Sequence, residues 1–300
     1  MTTRRWVARG RGPIEKIVRL AGGDADAIAD GRVFVGRARA EAGMVIDAGT
    51  EVVVHSRSSP GDGEIAILLR RAELVAVAKP AGIPTIPDHG GRAHSLLAAT
   101  ARATGIDASA LQPTSRLDRD VSGVVVFART VAGREALRRA REEGRYERRY
   151  VAIAVAGPSA PEGEWSAPIG RGKNPRLRAI AGADARPAVT RYRTVAVVST
   201  AALLAVEPVT GRTHQIRVHA SAAKLPLLGD RDYGGPTRLT LPGGRSLSLK
   251  RVYLHCGRVA IDIGAERVTI EAPLPPAFND LWLSLGGRAD DLSRALQPRA

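Results

Sequence analysis

VTRYRTVAVV, residues 189–198, and AALLAVEPV, residues 201–209, follow one another with no regular helix between them. Each is a short run rich in β-branched, aromatic and aliphatic residues, the composition of a strand. The same kind of run recurs before them, as EIAILLR, ELVAVAK, GVVVFAR and RYVAIAVAG, and after them, as RVYLHCGRVAI and RVTIEAPL. Helical periodicity is clear in HSLLAATARATG, VAGREALRRAREEG and HQIRVHASAAKL, each closed at or near a glycine or proline. Successive strands broken by a few helices predict an α+β fold with a mainly antiparallel mixed sheet, not a doubly wound parallel one.

Ahead of this region lies a unit with its own pattern. IEKIVRLA, ADGRVFVGRARA and MVIDAGTEVVVH, within residues 14–55, read as a helix followed by a small β-structure. SRSSPGDGE, residues 56–64, clusters Ser, Pro, Gly and Asp as a linker does. The expected division is therefore a small module over residues 1–60, a main domain over 61–285 and a loosely held tail over 286–300.

Charge narrows the class of partner. Forty-five Lys plus Arg against 30 Asp plus Glu gives +15, and only five of the cations are lysines. Arginine forks suit bidentate phosphate contacts and stacking on bases, so the partner expected is nucleic acid. An Arg-rich, GC-rich genome would explain the choice of Arg over Lys but not the net excess. The single cysteine, Cys256, excludes an internal disulfide or a multi-cysteine zinc site and suits a reducing compartment. No apolar stretch approaches the roughly 18 to 20 residues of a membrane span. MTTRRWVARGRGP has no apolar segment after it, so a cytoplasmic location is expected. Neither GxxxxGK[ST] nor GxGxxG after a strand is present, which removes the usual signals of nucleotide hydrolysis and dinucleotide redox chemistry.

Four segments could carry chemistry. In SRLDRDVSGVVVFART, residues 115–130, a polar loop places Asp118 just before an apolar strand, where a fixed backbone meets access for a substrate. An ordinary turn with Asp118 between Arg116 and Arg119 would look the same. In EPVTGRTHQIRVHASAAKLPLLGDRDYGG, residues 207–235, Gly211, Arg212 and Thr213 read as a tight turn into a helix whose exposed amides could hold a phosphate. Arg217 lies one helical turn beyond Thr213, and Lys224 adds a cation. His214 and His219, five apart with no acidic or Cys partner between, are poorly spaced for one metal. AKPAGIPTIPD, residues 78–88, puts Lys79 before a rigid loop, either on a phosphate or solvated. Residues 129–149 hold eight Arg and four Glu, more cation than intrahelical pairs absorb. Tyr150 follows, as core or as a platform for a ligand.

Together these segments resemble the RluA family of pseudouridine synthases. The family's HRLDxxTSG loop stands here as Ser115-Arg116-Leu117-Asp118 with Val121-Ser122-Gly123, and its KxYxA strand as Arg148-Arg149-Tyr150-Val151-Ala152. Its GRTHQIRVH block runs from Gly211 to His219, followed by Leu228-Gly229-Asp230 and Tyr233-Gly234. Lys79-Pro80-Ala81-Gly82, and Leu254-His255-Cys256 with Glu271-Ala272-Pro273-Leu274-Pro275-Pro276-Ala277-Phe278, complete five motifs in the family's order. Two positions depart: Ser115 stands where the family usually has His, and Val121 where it has Thr. ADGRVFVGR and DAGTEVVV resemble a small RNA-binding module first known from a ribosomal protein.

The resemblance implies an RNA-modifying isomerase. It would break a uridine's glycosidic bond, turn the uracil and rejoin it through a ring carbon, with no cofactor and no metal. The target base must be extruded, at a cost of a few kcal/mol. Asp118 would be the catalytic carboxylate, as nucleophile or as base. Arg217 would ion-pair with it, and Tyr150 would pack on the uracil and assist proton removal. Arg116 would help fill the gap left by the flipped base, with Lys79, Arg212, Thr213, His214 and Gln215 as further RNA contacts. The expected partner is ribosomal or transfer RNA, bound by a monomer without a membrane. Two rivals use the same residues: an inactive RNA-binding or ribosome-assembly factor, motivated by Ser115 and Val121, and a metal-dependent nuclease built on Asp118, Asp120 and His214.

Overall fold

Alternation along the strand Tyr146–Val155 shows how one strand builds two cores. Tyr150, Ala152 and Ala154 enter one hydrophobic cluster, while Val151 and Ile153 enter another on the opposite face of the sheet. The computed structural model describes residues 3–23, 27–29, 31–36, 38–55, 65–87, 94–155, 157–158, 160–198, 200–241 and 243–298. The expected linker, residues 56–64, lies outside the described residues.

The central sheet has ten strands among the described residues. Its order is Glu162–Trp165, Thr190–Val198, Ala201–Pro208, Tyr146–Val155, Leu254–Ile263, Ser122–Ala128, Leu74–Lys79 and Ile67–Arg70. Glu266–Glu271 also pairs with Leu254–Ile263, and Gln112–Pro113 with Ser122–Ala128. The two consecutive strands Thr190–Val198 and Ala201–Pro208 pair antiparallel, as do their neighbours. The exception is Ser122–Ala128 against Leu254–Ile263, parallel over two residue pairs, Ser122 with His255 and Gly123 with Cys256. There the chains approach so closely that a Cβ on Gly123 would stand 2.2 Å from the Cys256 carbonyl oxygen, and its φ of +126° is one that other residues avoid. The loop bearing Asp118 opens into this junction.

Helices Leu96–Thr104 and Val131–Glu142 send Leu96, Ala99, Leu137 and Ala140 into the first cluster. Both begin as their sequences suggest, with Ser95 and Thr130 hydroxyls accepting from the amides of Ala98 and Gly133. The second face is covered by Pro276–Ser284 and Ala289–Leu296, which bury Phe278, Leu281, Trp282, Leu292 and Ala295.

The second of these helices corrects the expectation of a loose tail over residues 286–300. Leu292, Ala295 and Leu296 have helical spacing, too short a repeat to stand out, and buried Asp291 ties the helix down. Its carboxylate accepts from Trp282 Nε1 at 3.0 Å and from the Arg288 amide at 2.8 Å.

The N-terminal unit has its own core, including Ile14, Ile17, Val18, Val33, Val52 and Val54. It pairs Thr3–Val7, Glu51–His55, Val33–Val35 and Ala38–Arg39 in one sheet beside the helix Ile14–Leu20. The leading strand was not visible in the sequence pattern, because its partner lies far along the chain at residues 51–55.

Candidate active site

The segment before Ser122 is held from behind at Leu117, Arg119 and Val121. Thr85, buried, donates its hydroxyl to the Leu117 carbonyl at 2.8 Å and accepts from the Leu117 amide at 3.0 Å. The Gly82 amide donates to the Arg119 carbonyl at 2.8 Å. Lys79, only 2% exposed, donates to the carbonyls of Pro80, Arg119 and Val121 at 3.0, 2.9 and 2.7 Å. Burial pulls its pKa down to about 7, against the opposing pull of Asp118 and Asp120. Lys79 is thus neither solvated nor placed on a phosphate: it fastens the loop on both sides of Asp120, which corrects the RNA contact expected of it.

Asp118 faces the helix Gln215–Ala222 across a cavity. Arg217 donates from Nη1 to Asp118 Oδ2 at 3.1 Å. The rest of its guanidinium is committed: Nε and Nη2 bind Asp230 at 2.8 and 2.7 Å, and Nη2 also binds Asp232 at 2.9 Å. Its face lies 4.8 Å from the Tyr233 ring centre. Burial opposes the charge on Arg217, but pairing with Asp230, then Asp118 and Asp232, raises its pKa above the ordinary arginine range. Asp230 is fully buried and its two oxygens match the guanidinium fork, which fixes the plane of the group that meets Asp118.

His214 sits at the helix start with φ +58°. Its Nε2 is 3.8 Å from Asp118 Oδ1 and its Nδ1 is 2.6 Å from the Tyr233 hydroxyl, which also accepts from the Arg178 amide. Burial lowers the His214 pKa, so the ring is neutral at pH 7 despite the carboxylate nearby. Gln215 points inward: its amide group donates to Val189 O and Thr190 Oγ1, and its Oε1 accepts from Thr210 Oγ1 and the Arg212 amide. Gln215 therefore builds the turn from within and is not available to RNA, and the Arg212 amide is already occupied. Arg212 itself is half-buried, with Nε on the Pro187 carbonyl, while Thr213 is exposed.

The cavity has a volume of about 1630 Å³, above the roughly 300–1,000 Å³ of small-molecule pockets, and suits a segment of polymer. Asp118, Arg217, Tyr150, Arg116, Arg212, Thr213, His214 and Gln215 all lie along it. Tyr150 is almost wholly buried in mid-strand, paired across the sheet with Cys256, and burial raises its phenol well above 10. A phenol so placed is a packing surface and a poor base at neutral pH. Cys256 is also buried, which pushes its thiol up to about 12. At the departing position, Ser115 Oγ lies 3.5 Å from the Tyr146 hydroxyl, and Arg141 stacks 4.5 Å from that ring. Val121 is buried and gives its carbonyl to Lys79.

Asp230, Asp232, Thr85 and Tyr233 acquire roles that the sequence reading did not assign. The signal for three of them was in view, since GDRDY places two carboxylates and a tyrosine within four residues. Among the described residues no cluster of three His, Cys, Asp or Glu is arranged to hold a metal ion. Of the two carboxylates such a nuclease would use, Asp118 and Asp120, the first is engaged by Arg217.

Residues 73–222 match the RNA pseudouridylate synthase family. An uncharacterized RNA pseudouridine synthase of Bacillus subtilis is 32% identical over 250 residues, covering 79% of this chain and 80% of the relative. Ribosomal large subunit pseudouridine synthase D of Xanthomonas campestris is 31% identical over 291 residues, covering 90% of this chain and 85% of the relative. In fold, the chain is similar to human RNA pseudouridylate synthase domain containing 4, with a TM-score of 0.59 at 22% identity, covering 74% of this chain and 93% of that one.

Proposed function

The chain belongs to the RluA family of RNA pseudouridylate synthases and isomerises uridine in RNA to pseudouridine, and from that premise we propose that Asp118 is the carboxylate on which the reaction turns. The observation that carries this assignment is the contact between Asp118 and Arg217 at the floor of a cationic cavity, with Asp230 locking the guanidinium from the far side.

The reaction is a rearrangement. The bond from the ribose to the ring nitrogen breaks, the uracil turns, a bond to a ring carbon forms, that carbon loses its proton and the freed nitrogen takes one up, with no net redox change. Asp118 supplies a charged oxygen at the sugar, as nucleophile or as base. Arg217 restricts it to one orientation, so that little reorganisation is needed when the substrate arrives. Tyr150 packs on the extruded base. Arg116, exposed at the cavity, supports the unstacked site, and Arg212 and Thr213 meet the backbone. These contacts offset an extrusion cost of a few kcal/mol.

The substrate read from this site is a structured RNA, ribosomal or transfer, and one chain supplies every group named, so a monomer suffices. The free, buried Cys256 suits the cytoplasm. No helix among the described residues is long and apolar enough to cross a membrane.

Asp118→Asn keeps the shape and removes the charge. Tritium release from uridine labelled at the exchanged carbon should vanish, while RNA affinity stays within about tenfold, or roughly 1.4 kcal/mol. Turnover near the wild-type rate would refute the assignment. Mapping pseudouridines in RNA from cells with and without the protein identifies the target.

A further inference from the structure

Leu254 lines the catalytic cavity, whereas Tyr253 and His255 turn to the other face of the sheet, against Phe278. On that reverse face a second cavity, of about 300 Å³, opens behind the catalytic loop. Its polar lining is Lys79, Ser122, Arg251 and His255, set among alanine and proline side chains.

A single direction of hydrogen bonding runs through three of these groups. Burial holds His255 neutral, with a pKa of about 4, so its ring carries one proton. Its Nε2 faces the Ala272 carbonyl at 3.3 Å, which can only accept, so the proton sits there and Nδ1 accepts from Ser122 Oγ at 2.8 Å. Ser122 Oγ in turn accepts from Arg251 Nη2 at 2.5 Å. Among the described residues Arg251 makes one further bond, a long one of 3.3 Å from Nε to the Val252 carbonyl, and stacks 5.1 Å from the Phe278 ring centre. Among the described residues no carboxylate lies within ion-pair distance of Arg251 or of Lys79. Asp120 acts on both only through the longer-range field, and Tyr253 adds to it at Arg251.

Two cations withdrawn from water with no acid in contact are costly, and an arginine with unused donors beside a cavity is the usual complement of an anion. We propose that this reverse-face cavity binds a phosphate group through the unused donors of Arg251, with Lys79 contributing its field. A phosphoryl group, whether diester or monoester, offers several acceptor oxygens to the unused guanidinium donors, and the volume leaves room for the atoms that carry it. Because Arg251 anchors Ser122, four residues beyond Asp118, occupancy steadies the catalytic loop from the side opposite the substrate. The phosphate has two possible sources: the backbone of the bound RNA and a free phosphorylated small molecule.

Titration of the RNA-free full chain with inorganic phosphate at constant ionic strength, followed by phosphorus NMR line width, tests the site. Saturable binding is expected, weakened by about tenfold or more, or at least roughly 1.4 kcal/mol, in Arg251→Gln. It should persist in Arg212→Ala, which alters the catalytic cavity instead. Should Arg251→Gln fail to fold, Arg251→Lys keeps the charge, loses the fork and is expected to bind several-fold more weakly. Unchanged binding in a folded Arg251 variant, loss in Arg212→Ala alone, or no saturable component in the wild type overturns the proposal. Adding a saturating RNA oligonucleotide separates the sources: displacement of the Arg251-dependent phosphate assigns the site to the RNA backbone, and simultaneous binding assigns it to a small molecule.

Discussion

Two buried cations flank the segment that carries Asp118, and their partners differ in kind. Arg217, on the cavity side, is matched by the carboxylates of Asp118, Asp230 and Asp232. Lys79, behind the loop, is matched by three backbone carbonyls. Burial opposes both charges, but the ion pairs prevail at Arg217, whose pKa rises, while the more distant Asp118 and Asp120 do not offset burial at Lys79, which falls to about 7. The substrate side of the loop is thus fixed by full charges that orient a reactive oxygen. The reverse side is fixed by a buried amine whose work is to give hydrogen bonds to the backbone, three as an ammonium and two once it is neutral.

Breaking the cavity side should have the largest effect. Arg217→Met keeps most of the volume and strands three carboxylates, one of them fully buried. A loss of about 3–5 kcal/mol of stability is expected, the usual cost of removing one partner of a buried ion pair. Tritium release should fall to background, since Asp118 loses the group that orients it. Denaturant titration beside the tritium assay reads both. A stable, active Arg217→Met would remove the distinction between the two cations.

Lys79→Met is expected to cost less at pH 7, about 1–3 kcal/mol for carbonyls left without their donor. Its signature is its pH dependence. An unfolded lysine titrates near 10.4, above the folded value of about 7. Between these values the unfolded chain holds a proton that the folded chain lacks, so the wild type gains stability as pH rises, at up to roughly 1.4 kcal/mol per unit. That gain is absent in Lys79→Met and flattens below pH 7. Urea titration of both proteins between about pH 6 and pH 9.5 measures the difference, and a constant difference across that range would show that Lys79 stays charged.

The sequence made one side of this contrast legible and hid the other. The alternating runs from residue 189 to 209 foretold the antiparallel sheet because their periodicity is local. Asp118 and Arg217, 99 residues apart, were brought together by resemblance, since no spacing argument links a loop to a distant helix. Lys79 was misread because its three acceptors are carbonyls, and a carbonyl carries no trace in the side-chain sequence. Gln215 failed for the same reason, with Val189 O among its partners. The closing helix was missed because its stabilising group, Asp291, acts within a packed layer whose other members, Trp282 and Phe278, precede it by several turns.

The smallest change sharpens the contrast within the cavity side itself. Asp232 is 42% exposed at its side chain, whereas Asp230 is 0% exposed, though both accept from Arg217 Nη2. Water screens the first and cannot reach the second, so Asp232→Asn is expected to change stability by less than about 1 kcal/mol, as for a surface ion pair. It releases one shared donor and leaves the two-point contact with Asp230, so the guanidinium keeps its plane and Asp118 its orientation. Turnover should therefore change by only a few-fold. Asp230→Asn removes charge from the two-point contact and should cost more in both stability and turnover. If Asp232→Asn proves the more damaging of the two, the cavity is held by the net charge facing the substrate, and the buried fork is not what positions Arg217.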